Sequence, residues 1–145
     1  TRSLNRKRTM DLMKSIKISA AGMRVQGVRL KVIAENLANA DSMSPIKGGD
    51  PYRRKIVNFE NVLDRTVQAD LVRVGSIGVD KAEFRKDFDP GHPAADETGY
   101  IKLPNVNALV EMMDMREAQR SYEANLRVID VSKRMISRTV DLLRN

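Results

Sequence analysis

The residues best suited to chemistry lie in one short segment, residues 89–93 (DPGHP), with Asp96 just behind it. His92 is the single histidine of the chain, and an imidazole near two carboxylates is a donor set that can bind a metal ion or transfer a proton. The alternative is a rigid turn in which these polar groups bond to the backbone, because Asp, Pro and Gly are typical turn residues. We favour the turn; if it needs a positive φ at Gly91, a β-branched residue is excluded there.

No other pattern in the sequence indicates catalysis. The chain contains no Gly-rich phosphate-binding loop, no His-Glu-x-x-His pair and no nucleophile elbow around a serine. It contains no cysteine, so disulfides and thiolate metal sites are excluded. We therefore predict a protein that is not an enzyme and has no catalytic, metal-binding or cofactor-binding residues.

The composition favours helices that pack along narrow seams. The 145 residues suffice for one domain, yet the apolar positions hold mainly Met, Val, Leu and Ala, with three Phe, three Tyr and no Trp. No run of about eighteen apolar residues is present, so we expect no membrane span. No apolar segment with a small-residue cleavage site follows the basic start, so we expect no classical signal peptide.

The net charge of +7 is concentrated at the start of the chain. Residues 1–9 (TRSLNRKRT) carry +4, residues 10–40 carry +3, residues 41–107 carry −1 and residues 108–145 carry +1. A basic arm can contact phosphates, so a coiled-coil scaffold protein whose arm contacts nucleic acid is the alternative function. The balanced C-terminal segment lacks the basic stripe that such a protein needs along a helix. We expect residues 1–9 to be a flexible extension, because they have almost nothing to bury.

Two heptad stripes, one near each end of the chain, must be formed by long helices. Apolar positions that alternate in steps of three and four keep one seam of a helix pointed at a neighbouring helix. The partner helix of each seam can lie in another copy of the chain, or the two stripes can pack on each other within one monomer. Small residues at positions 20–22 and at Gly27 allow a partner helix to come close. The N-terminal stripe consists of Met13, Ile16, Ala20, Met23, Gly27, Leu30, Ala34 and Leu37, and the C-terminal stripe of Met112, Met115, Gln119, Tyr122, Leu126, Ile129, Lys133, Ile136, Val140 and Leu143.

A loop- and strand-rich middle separates the two helical segments. We expect residues 10–44 to form an N-terminal helix, residues 45–107 a β-rich insert, and residues 108–145 a C-terminal helix capped by Asn105 or Asn107. The predicted fold class is mainly α, a discontinuous coiled coil of long N- and C-terminal helices with a small β-rich insert between them. Within the insert, short strands are expected at residues 52–59, 71–79, 82–87 and 100–103.

The terminal helices are expected to depend on assembly. The free energy gained by burying one seam against a single partner helix is about equal to, or smaller than, the conformational entropy cost of ordering about 35 residues. We therefore expect both ends to be loosely folded in the isolated subunit and to become fixed when many copies pack together.

Several sequence blocks resemble one protein family. Residues 36–41 (NLANAD), just after residues 29–34 (RLKVIA), resemble the N-terminal signature shared by bacterial flagellar rod and hook proteins. Further blocks resemble the proximal-rod C type of that group, and together the blocks cover residues 10–145 in the right order. These further blocks are residues 51–55 (PYRRK), 89–93 (DPGHP), 99–100 (GY), 104–107 (PNVN), 111–115 (EMMDM) and 122–125 (YEAN).

The resemblance implies a structural subunit of the proximal rod of the bacterial flagellar basal body. Members of this family are exported through the flagellar type III export apparatus without a cleaved signal peptide. They assemble beneath a rod cap, with further copies and other rod proteins, into a hollow helical shaft that crosses the periplasm and transmits torque.

On this resemblance the terminal helices carry the subunit contacts, and neither nucleic acid nor a membrane span is involved. Three asparagines are expected to lock helix ends and subunit contacts by hydrogen bonds: Asn36, Asn39 and Asn125. The expected packing residues are Ile16, Met23, Leu30 and Leu37 against Tyr122, Leu126, Ile129, Ile136 and Leu143.

Overall fold

Two long helices flank two β-hairpins in the computed structural model, which describes the backbone of residues 2–144 and the side chains of residues 11–142 and 144. The mainly α fold with a small β insert is therefore confirmed. The elements in chain order are α1 Arg2–Ala38, β1 Lys55–Asp64, β2 Ala69–Val79, β3 Arg85–Phe88, β4 Tyr100–Leu103 and α2 Ala108–Arg144.

The chain divides into two compact units, each assembled from discontinuous segments. Both helices contribute residues to both units, and each unit contains part of the insert. Unit 1 comprises Thr1–Arg29, Phe59–Gly75 and Glu117–Asn145, and unit 2 comprises Leu30–Asn58 and Ser76–Arg116.

Helix α1 ends at Ala38, just before Asn39, whose side chain bonds to the backbone of the last turn. Asn39 Nδ2 donates to the carbonyl of Glu35 at 2.9 Å, and Asn39 Oδ1 accepts a bond from the Ser42 hydroxyl at 3.0 Å. The last helical residue is therefore Ala38, and residues 39–44 turn away from the helix instead of continuing it. The expected flexibility of residues 1–9 stays a prediction, because Thr1 and the side chains of residues 2–10 lie outside the described residues.

Helix α2 begins with an asparagine cap. Asn107 Oδ1 accepts hydrogen bonds from the backbone N–H groups of Leu109 at 3.1 Å and Val110 at 3.3 Å. These donors have no partner within the helix, so the cap satisfies them. Of the two asparagines considered from the sequence, Asn107 is the cap. Asn105 instead bonds to the backbone of Arg54 and of residues 80 and 82.

Strands β1 and β2 form a hairpin that is longer than the sequence predicted. A four-residue turn, residues 65–68, joins them and excludes a parallel arrangement. Asp64 Oδ1 accepts the N–H of Thr66 at 2.7 Å, and Gln68 has a φ of 51°. The first strand was expected at residues 52–59 but runs Lys55–Asp64, because Tyr52 and Arg54 make side-chain contacts with the helix ends instead.

Strands β3 and β4 form a second, antiparallel hairpin. Lys86 pairs with Lys102 and Phe88 with Tyr100, and the rings of Phe88 and Tyr100 meet edge to face with centroids 5.1 Å apart. The strand at residues 100–103 is confirmed, whereas the one expected at residues 82–87 lies at Arg85–Phe88. Ile101 is buried on the other face of this hairpin.

The conformation of the β3–β4 loop depends on Gly99. The positive φ considered for Gly91 from the sequence does not occur there. Gly99 has a φ of 85°, and a Cβ at this position would lie 2.9 Å from Phe88 Cε2 and 3.1 Å from Pro90 Cβ. Gly91 has no positive φ, and the nearest atom to a Cβ there is Asp89 Oδ1 at 3.6 Å. The tight position follows the acidic turn and faces the aromatic pair.

Replacing Gly99 is therefore expected to destabilise the hairpin, while Gly91 tolerates the same change. Gly99→Ala combines a left-handed backbone with a steric clash, and we expect it to lower the free energy of unfolding by about 1–3 kcal/mol. Gly91→Ala is the matched control and should change stability by less than about 0.5 kcal/mol. Urea unfolding followed by circular dichroism measures both variants. Equal stability of the two would contradict this account of Gly99.

Candidate functional site

The face that α1 buries within the chain lies beside the predicted stripe. Ala21 and Val25 are buried in unit 1, and Val32, Ile33 and Asn36 are buried in unit 2. The predicted stripe residues flank this face and keep part of their surface accessible. Four of them are half-buried: Ile16, Met23, Leu30 and Leu37.

The face that α2 buries is lined by small and polar side chains. Glu111, Ala118 and Ser132 are buried and lie at multiples of the heptad spacing, one position before the predicted stripe. The apolar stripe itself keeps much of its surface accessible: Leu126 is 41% exposed and Val140 is 55% exposed. Tyr122, Ile129 and Ile136 are half-buried, and the side chain of Leu143 lies outside the described residues.

Within unit 1 the two helices pass very close to each other. A Cβ on Gly22 would lie 2.8 Å from Asn125 Nδ2, so a larger residue here would force the Asn125 side chain to move. Asn125 Nδ2 donates to the carbonyl of Ser121 at 2.9 Å, and Arg29 Nη2 lies 3.5 Å from Glu117 Oε2. Small residues therefore do allow a close partner helix, as the sequence indicated, but at Gly22 and not at Gly27, where a Cβ would meet nothing within 4 Å.

Asn36 is the centre of a buried polar cluster in unit 2. Its side chain is 1% exposed and uses both its donor and its acceptor groups. Nδ2 donates to the carbonyl of Lys55 at 2.9 Å and to Glu111 Oε2 at 3.2 Å, while Oδ1 accepts bonds from the Tyr52 hydroxyl at 2.9 Å and the Lys55 N–H at 2.8 Å. One amide thus ties the end of α1 to the start of β1 and to the first turn of α2.

Arg54 satisfies the buried carboxylate in this cluster. Glu111 is 0% exposed, and Arg54 Nε donates to Glu111 Oε1. Two further carboxylates face the same guanidinium, Asp80 at 3.5 Å and Asp114 at 3.6 Å. A buried carboxylate without such a partner would cost several kcal/mol, so the pair is a requirement of the fold.

Charges and burial keep the donors of the cluster protonated. Burial disfavours the charged form of Arg54, but the hydrogen bond and the charge of Glu111, together with Asp80, outweigh it and raise the pKa of Arg54. Burial, followed by the negative charge of Glu35, raises the pKa of Tyr52. Tyr52 therefore remains a donor to Asn36 at neutral pH, and Arg54 remains a cation.

The polar groups of the loop at residues 89–99 bond to its own backbone. His92 Nδ1 accepts the N–H of Ala94 at 3.1 Å, and Asp89 Oδ1 accepts the N–H of Gly91 at 3.2 Å. The hydroxyl of Thr98 and then the N–H of Tyr100 hold the pKa of Asp96 below its ordinary value. These bonds support the rigid turn that the sequence favoured for this loop. No group of three or more potential metal ligands occurs within the part of the chain that the structure describes.

Sequence reasoning missed Glu111, Arg54 and Tyr52 as members of the cluster. They appeared only inside blocks that resemble the flagellar family. A glutamate in the first turn of a helix normally faces solvent and the helix dipole, so nothing local indicates its burial. The double arginine before β1 was the available signal, because a buried acid requires a cation.

A change of one atom in Asn36 is expected to break the cluster. Asn36→Asp replaces the donor Nδ2 with an oxygen that faces Glu111 and the Lys55 carbonyl, so repulsion replaces two hydrogen bonds. We expect a loss of about 3 kcal/mol or more in the free energy of unfolding. The deficit relative to wild type should shrink as the pH falls, because the new carboxyl then protonates and donates again.

Asn39→Asp is the matched control, since Asn39 is half-buried and donates one bond to the backbone of its own helix. We expect it to cost no more than about 1 kcal/mol. Urea unfolding at several pH values compares the two variants. Similar losses in both would mean that Asn36 is not the centre of the cluster.

Comparison with known proteins agrees with the resemblance seen in the sequence. A family model described as flagellar basal body rod FlgEFG protein C-terminal matches residues 97–142. The flagellar basal-body rod protein FlgC of Agrobacterium fabrum is 49% identical over 128 residues, which cover 88% of this chain and 92% of the relative. The FlgC proteins of Aquifex aeolicus and Salmonella typhimurium are each 38% identical over 133 residues, covering 91% and 92% of this chain and 97% and 98% of those relatives.

These similarities extend over nearly the whole chain and include both helices and the insert. None of the reported relatives supports the alternative of a nucleic-acid-binding scaffold. None of the described helices is long and apolar enough to cross a membrane. The chain belongs to the FlgC family of flagellar basal-body rod proteins.

Proposed function

We propose that this chain, a structural rod subunit of the flagellar basal body, assembles helically through its terminal helices into the hollow proximal rod and transmits torque to the hook and filament. Its neighbours in the rod are further copies and other flagellar rod proteins. The observation that carries the proposal is the accessible apolar stripe of α2, which the chain leaves uncovered on a helix already packed along its small polar face.

The two faces of α2 suit two different contacts. One face holds small buried side chains at Ala118 and Ser132, and Asn125 beside them lies close to Gly22 of α1 in the same chain. Large stripe side chains at Met112, Leu126 and Val140 remain exposed, and an apolar surface of this kind on a helix marks a site of protein association. A second helix laid on this stripe would complete the coiled-coil packing that the heptad spacing requires.

The buried cluster around Asn36 supports a mechanical role. A subunit that transmits torque must resist shear between its elements. The amide of Asn36 and the Arg54–Glu111 pair join three elements through short, directional bonds in a water-excluded environment, where such bonds are strong. Stiffness of this kind needs no catalytic turnover, and we infer that the protein is not an enzyme.

Family membership places the protein in the flagellar basal body. The export route proposed here is the one that the resemblance implies. We infer that the subunit lies in the periplasmic part of the basal body and is exported through the flagellar type III apparatus without a cleaved signal peptide. Assembly then takes place beneath the rod cap. All three predicted asparagines donate Nδ2 to groups of their own chain, and Asn125 is the one that lies beside Gly22 of α1.

A charge on the apolar stripe is expected to abolish rod assembly. Leu126→Asp places a carboxylate where a neighbouring helix would bury apolar surface, which costs several kcal/mol for each subunit contact. The side chain is 41% exposed in the isolated chain, so folding itself should change little. We expect the variant to be produced normally, while cells that carry it build no rod beyond this subunit and do not swim.

The control for this experiment is Ala124→Asp, which adds the same charge to an exposed position on the other side of α2. Motility in soft agar and electron microscopy of basal bodies measure the outcome. Normal swimming by the Leu126→Asp strain would show that the stripe faces solvent in the assembled rod.

Dilute subunits are expected to contain less helix than the two 37-residue helices provide. Without neighbouring subunits the apolar stripe stays exposed. The helix ends then bury too little apolar surface to offset the conformational entropy lost when they are ordered. Circular dichroism at low protein concentration measures this helix content. A full helical signal with one cooperative melt would rule out folding that depends on assembly.

A further inference from the structure

Unit 2 contains an open groove of about 330 Å³ with a positively charged lining. Four cationic and two anionic side chains line it, which leaves a formal charge of +2. Phe84 forms the apolar part of its wall, under the guanidinium of Arg53 at 4.1 Å. The charged lining residues are Arg53, Lys81, Lys86, Lys102, Asp50 and Glu83.

Two of the lysines face each other across the β3–β4 hairpin. Lys86 and Lys102 are direct partners in the register, and like charges at such positions destabilise a two-stranded sheet. Asp50 neutralises only one of them, because its Oδ1 lies 2.8 Å from Lys102 Nζ. Lys81 and Lys86 have no anionic partner among the residues whose side chains the structure describes. The groove therefore carries positive charge that the subunit itself does not balance.

The opposite charge occurs at the end of β3 and on the loop that joins the same two strands. Residues 87–97 carry four carboxylates and no cation at neutral pH: Asp87, Asp89, Asp96 and Glu97. Backbone hydrogen bonds to Asp89 and Asp96 hold this loop in one conformation, so little conformational entropy is lost when it binds. The pKa of Asp96 is lowered, so this carboxyl stays ionised.

We propose that the cationic groove of one subunit binds the carboxylates of residues 87–97 of a second copy of this chain. The contact joins two different surfaces of the same unit, so it is heterologous and repeats from copy to copy, as a helical assembly requires. The inference rests on the proposed function, because it names one contact by which copies of the rod subunit recognise each other. Charge complementarity sets the orientation and register of neighbouring copies, while the apolar stripe of α2 supplies burial.

A second copy fits this groove better than a phosphate-bearing ligand does. The guanidinium of Arg53 already donates to the carbonyls of residues 80 and 82 and stacks on Phe84. That leaves single lysine ammonium groups as the recognition elements, which bind carboxylates as point charges and need no bidentate geometry. Every additional copy brings four carboxylates at a fixed spacing, so the concentration of this ligand is high wherever copies assemble.

Disulfide trapping in assembled basal bodies tests the contact, because the natural chain contains no cysteine. Two differently tagged copies are expressed together, one with Lys86→Cys and the other with Glu97→Cys. Mild oxidation of isolated basal bodies should yield a dimer that carries both tags, at about tenfold or more above the control pair of Lys86→Cys and Arg138→Cys. A dimer with both tags cannot come from a bond within one chain.

Two results overturn the inference, and they are distinguishable. If both tagged copies are present in basal bodies but the mixed dimer does not exceed the control, the contact is wrong while the rod function stands. If tagged wild-type copies do not appear in basal bodies at all, the rod function is wrong, and the contact is overturned with it.

A charge exchange gives an independent measurement in swimming cells. Lys86→Glu removes the repulsion with Lys102 within the subunit, so the isolated chain should be at least as stable as wild type. Assembly should nevertheless fall, with about tenfold fewer complete rods per cell. Adding Glu97→Lys to the same chain restores an attractive pair and should recover most of the rods. Unchanged rod numbers in the single variant, or no recovery in the double variant, contradict the proposal.

Discussion

The structure of unit 2 depends on the hydrogen bonds of one buried amide. Asn36 is 1% exposed, and its four bonds connect the last turn of α1, the first residue of β1 and the first turn of α2. Each of these elements is weak alone, because the hairpins are two-stranded and the buried apolar residues are few and small. A polar group that satisfies three elements at once specifies their arrangement in a way that a small apolar core does not. The buried Glu111 also restricts the arrangement, because its carboxylate must keep its hydrogen bonds to both Arg54 and Asn36.

The two helices separate the contacts that the chain makes with itself from the surface that it leaves accessible. Within unit 1 the inner faces hold Gly22, Ala21 and Ala118, which let the backbones approach but bury little apolar area. The large side chains of α2 remain accessible instead. A chain designed to be stable as a monomer would place its leucines inside and its serines outside. The reversed arrangement lowers the stability of the isolated subunit and raises the gain on association, which is the balance that a polymer-forming subunit needs.

Much of this fold follows from the sequence, and the errors have identifiable physical causes. The heptad spacing predicted both helices, and the turn residues predicted the insert, because these patterns are local. The stripe lies one position from the buried face of α2, since periodicity identifies a repeat but not which of two neighbouring faces meets the same chain. The first strand began later than expected because Tyr52 and Arg54 bond to residues distant in sequence. The burial of Glu111 and the demanding backbone at Gly99 likewise depend on tertiary contacts that no local pattern contains.

Polar and apolar surfaces make different contributions to an assembly of identical subunits. An apolar stripe such as the one around Leu126 provides burial but little register, because neighbouring turns of a heptad are nearly equivalent and a helix can slide by one repeat. Charges at fixed positions remove that degeneracy, since a shift of one repeat separates opposite charges and brings like charges together. The cationic groove around Lys86 and the rigid acidic loop after β3 are built on short strands, where their spacing is held by the hairpin register. A rod that must turn without slipping needs both contributions, and in this chain they lie on different elements.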